Sequence, residues 1–130
     1  MVDTSAITAF FLREEGWNRL APYMRYAVSV DHIVKELYNA IWRAVVIRKL
    51  ISYEHAKKVL QLFKEYVEKS LVLEPEERYV DKAFDIATEH GITVYDALYI
   101  AVALQRKLPL LTLDKRQGEV ASKLGIAVKH

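Results

Sequence analysis

Apolar and polar positions divide this chain into short apolar runs and longer stretches with a helical stripe. Met1-Val2 is a two-residue apolar stub, followed by the polar turn Asp3-Thr4-Ser5. Ala6 to Leu12 predicts a short helix stopped by Arg13-Glu14-Glu15-Gly16, and Trp17 to Tyr26 a second one interrupted at Pro22. Ala27-Val28-Ser29-Val30 reads as a buried strand. Asp31 then stands at the cap position of a long helix to about Lys49, whose stripe is Ile33, Leu37, Ala40, Ile41, Ala44 and Val45. Ser52 caps another helix to about Lys69, with Ala56, Val59, Leu60, Phe63 and Val67 inward, and the short link between the two predicts an antiparallel hairpin.

The second half repeats the alternation. Leu71-Val72-Leu73 is a strand candidate, and Pro75 opens a helix through Val80, Ala83, Phe84 and Ala87 that stops at His90-Gly91. From Ala97 to Leu104 every residue is apolar or aromatic, so a helix here has no wet face and is expected to be buried. Thr93 stands three residues before Asp96, the spacing of a capping box. Lys107 and Pro109 end that helix; Leu110 to Leu113 is the clearest strand, with Asp114 directly behind it. Lys115 to Leu124 makes a last helix closed by Gly125, and Ile126-Ala127-Val128 a last strand. Short apolar strands alternating with helices predict an α/β fold, a parallel sheet covered on both faces. No linker, low-complexity tract or repeat divides the chain, so residues 1–130 are expected to form one domain.

Composition narrows the chemistry. Hydrophobic residues make up 52 % and charged ones 28 % of the 130 residues, which is globular and not disordered. Cysteine is absent, which excludes disulfides and thiolate metal sites, and the four histidines show no paired spacing for zinc. No segment has the apolar length to span a bilayer, and the first residues lack the pattern of a signal peptide, so the expected location is cytoplasmic. A net charge of +2 neither announces nor opposes a nucleic-acid partner, because only its local distribution matters.

Most of the 17 acids sit among other charges, as solvated faces do. Four do not. Asp3 and Asp114 end predicted strands, Asp96 opens the buried helix, and Glu36 lies between Ile33-Val34 and Leu37 on a line with Asn39, Ala40 and Arg43. Capping explains Asp96 equally well when it is taken alone. Taken together, carboxylates at the carboxyl ends of parallel strands gather in the crevice where ligands bind. Four such groups repel one another unless a cation sits among them, and hard divalent ions such as Mg²⁺ or Mn²⁺ take oxygen ligands.

At these residues the chain resembles a PIN domain, specifically a VapC-type toxin ribonuclease. The matching elements are Val2-Asp3-Thr4-Ser5, Glu36-Leu37-Tyr38-Asn39-Ala40, Thr93 to Tyr99 and Leu111-Thr112-Leu113-Asp114, in the family's order and spread over nearly the whole chain. The resemblance implies a three-layer α/β/α fold with a central parallel sheet, and Mg²⁺- or Mn²⁺-dependent endonuclease activity on RNA. It implies that Asp3, Glu36, Asp96 and Asp114 are the catalytic and metal-binding quartet. Ser5 or Thr4, together with Thr112, would orient carboxylates or water, and Asn39 would brace the site. It also implies a VapB-type antitoxin partner and a homodimer or higher homo-oligomer. Two departures stand out. Only Met1-Val2 precede Asp3, so the strand ahead of it is expected to be short and Asp3 loosely held; and Thr8 stands where the family stays apolar.

Basic residues near the quartet in sequence are Arg13, Lys35, Arg43, Lys115 and Arg116, candidates for gripping RNA phosphates or ordinary surface charges. Tyr38 and Tyr95 are candidates to stack on bases; Tyr99, among apolar neighbours, is expected in the core. Trp17, Trp42 and the hairpin are candidates for a partner surface, with burial favoured for Trp42. The rival readings are an inactive PIN-like binding module and a housekeeping RNA-processing nuclease. Phosphatases that need D-x-D, receiver domains and G-x-G-x-x-G dinucleotide folds fit poorly, since the chain has Asp3-Thr4-Ser5 and no such glycine run.

Overall fold

The computed structural model describes residues 1–130. Its helices are α1 (Thr4–Phe11), α2 (Trp17–Met24), α3 (His32–Val46), α4 (Tyr53–Lys69), α5 (Val80–His90), α6 (Val94–Arg106) and α7 (Lys115–Lys123). Four short strands lie between them: β1 (Val28–Val30), β2 (Val72–Glu74), β3 (Leu110–Leu111) and β4 (Val128–Lys129). β1 pairs in parallel with β2, Val28 opposite Val72, and β3 in parallel with β4, Leu110 opposite Val128.

The Met1–Asp3 segment joins these two pairs. Val2 bridges Leu111 in parallel. Leu111 N–H donates to the Met1 carbonyl at 2.8 Å, and Asp3 N–H donates to the Leu111 carbonyl at 3.2 Å. On the other edge Val2 N–H donates to the Val28 carbonyl at 2.9 Å. The Val2 carbonyl takes its bond from a side chain, the buried Ser29 hydroxyl, at 2.8 Å. The resulting order is β2, β1, the N-terminal segment, β3, β4, with every strand pairing parallel.

From its central segment the chain runs outward through β1 to β2, crosses back, and runs the other way through β3 to β4. Right-handed crossovers then place α1–α4 on one face and α5–α7 on the other. The packing agrees: α1 lies on α2 and α3, α3 on α4, and α6 on α5, α7, β1 and β3. This is a three-layer α/β/α arrangement around one contiguous core of 33 buried residues. Ala97 to Ala103 of α6 are all buried, as a helix without polar positions requires. Lys107, at φ 55°, ends α6 in the left-handed region.

Several expectations shift. Pro75 does not open a long helix; a 3₁₀ turn at Glu76–Arg78 intervenes and α5 starts at Val80. The cause is Asp31, whose side chain accepts from Glu76 N–H at 2.9 Å instead of capping α3. The same pinning moves β2 one residue later, because Asp31 N–H donates to the Glu74 carbonyl at 2.8 Å. β4 also begins later than its apolar run. Pro22 lies inside α2, which continues two residues past it. Trp42 is half exposed, not buried, since Ile41 and Ala44 take the inner face of α3; Phe84 likewise points outward from α5.

Ser29→Ala leaves the buried Val2 carbonyl without a donor, and its expected cost is about 1–3 kcal/mol. Urea unfolding with an unchanged m-value is the measurement; an unchanged midpoint would show that the hydroxyl is not part of the sheet's seam.

Candidate active site

Asp3 and Asp114 follow the two neighbouring segments from which the chain departs in opposite directions, the place where an open parallel sheet forms a crevice. Both cap helices as they leave the sheet. Asp3 Oδ1 accepts from Ala6 N–H at 3.0 Å, and Asp114 Oδ1 accepts from Gln117 N–H at 3.0 Å. Capping thus fixes where each carboxylate stands.

Two hydroxyls tie these acids together. Ser5 Oγ donates to Asp3 Oδ1 at 2.7 Å and accepts from Leu113 N–H at 2.8 Å. Thr112 Oγ1 donates to Asp3 Oδ2 and accepts from Asp114 N–H at 3.0 Å. Each hydroxyl has one proton and gives it to Asp3. The expectation of a loosely held Asp3 is therefore corrected: its side chain is 1 % exposed and accepts three hydrogen bonds. The short strand ahead of it matters little, because the caps and hydroxyls hold it.

None of those donors is a cation. Burial therefore prevails over the hydrogen bonds and, with the nearby Asp114 charge, lifts the Asp3 pKa from 3.8 to about 6. Asp96 is raised as well, first by burial and then by the charges of Asp114 and Glu36. Asp96 is not the cap of its helix. Thr93 Oγ1 is, accepting from Asp96 N–H at 3.1 Å. The buried Gln117 donates to the Asp96 carbonyl at 3.0 Å and so links the first turns of α6 and α7.

Glu36 is held from a different side. Its Oε1 accepts from Thr4 Oγ1 at 2.7 Å and from Tyr99 OH at 2.5 Å. The Tyr99 ring is in the core, as expected, yet its hydroxyl reaches the site; burial and the Glu36 charge raise its pKa, so it remains a donor. The i, i+3 spacing from Asp96 to Tyr99, which puts both on one helix face, was the signal for this contact. Gln117 and His32 carried no comparable signal. His32, 8 % exposed, lies with Nε2 3.7 Å from Glu36 Oε1 and its ring stacked on Tyr95.

Asp3 lies within electrostatic reach of Asp114, and Asp96 within reach of both Asp114 and Glu36, but no three of the chain's His, Asp or Glu side chains are close enough to hold one ion together. The other candidates divide. Lys35, Asn39 and Arg43 line a cavity of 440 Å³ with Thr4, His32, Glu36 and Tyr95. Lys35 is paired there with Glu76 at 3.1 Å. Lys115 lines a second cavity beside Thr112 and Asp114. Arg116 turns away to donate to the His90 carbonyl at 2.6 Å. Arg13 lies past the far end of α1, its guanidinium over Trp17.

A family model of the PIN domain matches residues 1–123, and the chain belongs to that family. Curated relatives place it among the VapC-type members. Ribonuclease VapC3 of Pyrobaculum aerophilum is 32 % identical over 122 residues, 92 % of each chain. Exonuclease VapC9 of the same organism is 31 % identical over 119 residues, 88 % of this chain and 80 % of the relative. The crystal structure of PAE2754 from Pyrobaculum aerophilum shares the fold, with a TM-score of 0.68 over 98 % of this chain and 86 % of that one at 24 % identity.

A carboxyl whose folded pKa is raised favours the folded state below its unfolded pKa, and that advantage is lost as pH rises through the folded value. For Asp3 the window runs from 3.8 to about 6. Metal-free protein should lose roughly 3 kcal/mol of stability across it from this group. Asp3→Asn is accordingly expected to raise the thermal midpoint at pH 8 and to give little gain near pH 4. An equal change at both pH values would contradict the uncompensated buried charge.

Proposed function

We propose that this chain is a Mg²⁺- or Mn²⁺-dependent endoribonuclease and the toxin of a VapB–VapC-type pair. The observation that carries the reading is the run of charge coupling from Asp3 to Asp114, from Asp114 to Asp96 and from Asp96 to Glu36, acids that come from four separate elements. Membership of a family with a relative named Ribonuclease VapC3 supports the activity, and that name supports an antitoxin of the VapB type.

The donor set fits a hard divalent ion. It is all oxygen, it carries more negative charge than its own protons and hydrogen bonds offset, and no cysteine competes for a softer metal. Asp3, Glu36, Asp96 and Asp114 would hold it. Asp3 and Asp114 are fixed by their caps, and Glu36, Asp96 and Asp114 are partly in solvent, open to an incoming ion. When bound, the ion supplies an activated water and offsets negative charge at a phosphodiester. Ser5 and Thr112 keep Asp3 oriented, Thr4 and Tyr99 keep Glu36 oriented, and Gln117 holds the turn that carries Asp96. Lys35, Arg43 and Lys115 stand beside the acids and suit RNA phosphates; Arg13 and Arg116 are engaged elsewhere. Trp42, Val46, Ile47 and Leu50, exposed at the end of α3 and in the turn after it, support a protein partner there, antitoxin or second copy. No helix is long and apolar enough to cross a membrane.

A second reading, an inactive binding module, draws on the absence of any three acids in joint ligating position. Cleavage of single-stranded RNA separates the two. Activity should require Mg²⁺ or Mn²⁺, vanish with EDTA, fall at least about 100-fold in Asp96→Asn and about 10-fold in Tyr99→Phe. A circular RNA should be cut, which an exonuclease cannot do. A folded protein that cleaves no RNA under these conditions would leave only the binding module.

A further inference from the structure

We propose that Tyr95 is a stacking platform for one unpaired nucleobase of the RNA, placed beside Glu36 and supported from beneath by His32. Tyr95 lies in the first turn of α6, one residue before Asp96, and its ring lines the same cavity as Glu36. The residue is 59 % exposed, yet its ring is not loose. One face lies on the His32 imidazole, centroids 4.9 Å apart and planes 11° from parallel. His32 is itself buried, between Glu36 and Glu76, and its Nε2 has no hydrogen-bond partner. A buried imidazole that makes no hydrogen bond through that nitrogen serves here as a floor for the phenol.

His32 covers one face of Tyr95, and the cavity that the two rings line together identifies the ligand's chemistry. Thr4 lines it from the start of α1, and Lys35, Glu36, Asn39 and Arg43 line it from α3. Arg43 makes no ion pair within the protein, so its charge is available to a phosphate, and the Asn39 amide offers both a donor and an acceptor. A flat apolar face, a free cation and an amide, adjoining an acid of the site, match a nucleotide of single-stranded RNA. Paired bases are already stacked on their neighbours, so an unpaired one is required. The substrate class rests on the ribonuclease reading, but the test is read by binding and not by cleavage.

The probe is a short fluorescent 2′-O-methyl oligonucleotide in Ca²⁺, verified intact on a gel, with anisotropy as the readout. Tyr95→Ala should weaken binding about 5- to 150-fold, the range for loss of one base–aromatic stack, while Tyr95→Trp should retain it. Tyr95→Leu, which keeps an apolar side chain without a π-face, should behave as alanine does and guards against a folding effect. Abasic substitution at each position in turn should reveal one site whose loss weakens the wild type but not Tyr95→Ala. Annealing a complementary strand should abolish the dependence on Tyr95. Equal binding by wild type and Tyr95→Ala, the same abasic profile in both, or no binding by the wild type would each overturn the platform. Cleavage lost in Asp96→Asn with binding unaltered in Tyr95→Ala would sink this proposal and spare the nuclease.

Discussion

The structure depends on a three-residue seam. Without Met1–Asp3 the chain has two separate pairs of strands, each too small to be stable alone. Val2 closes the gap by bonding to Val28 on one side while its neighbours bond to Leu111 on the other. The seam also sets the site. Asp3 leaves it at the level of Thr112, which is why a threonine more than a hundred residues away reaches its carboxylate. Ser29 belongs to the same device, since its hydroxyl supplies the one ladder bond that the backbone does not.

From that seam follows the electrical state of the crevice. Three hydrogen bonds from uncharged donors do not offset the loss of water around a buried carboxylate. The protein therefore holds Asp3 in deficit, next to Asp114, while Glu36 shares one oxygen with two hydroxyl donors and keeps the other without a protein partner. Such a site favours anything that brings positive charge. Its acids are held differently: the two strand-end aspartates by helix caps, and Glu36 by hydroxyls from two other helices.

Much of this was legible in the sequence. The stripe of α3, the cap at Ser52 and the wholly apolar α6 are local signals, and the structure honours them. The odd company of Asp3, Glu36, Asp96 and Asp114 was legible for a related reason: an acid among apolar residues conflicts with the local pattern, and such conflicts concentrate at sites. What escaped was set by contacts distant in sequence. Asp31 reads as a cap for α3, but Glu76 claims its carboxylate and shifts β2 and α5. Tyr99 reads as core, and its ring is, but its hydroxyl finds a glutamate on another helix. Trp42 reads as buried because it is large and apolar, whereas the helical phase of Ile41 and Ala44 puts it outside.

Because the middle of the sheet is made from the first residues and Leu111, synthesis imposes an order. The Met1–Asp3 segment leaves the ribosome well before Leu111 and has only β1 to pair with until the chain between them has followed. The crevice cannot form before residue 114 exists, so an incomplete chain carries dispersed acids and no site. Assembly of the acidic edge is thereby a late event in the life of each molecule, timed by topology.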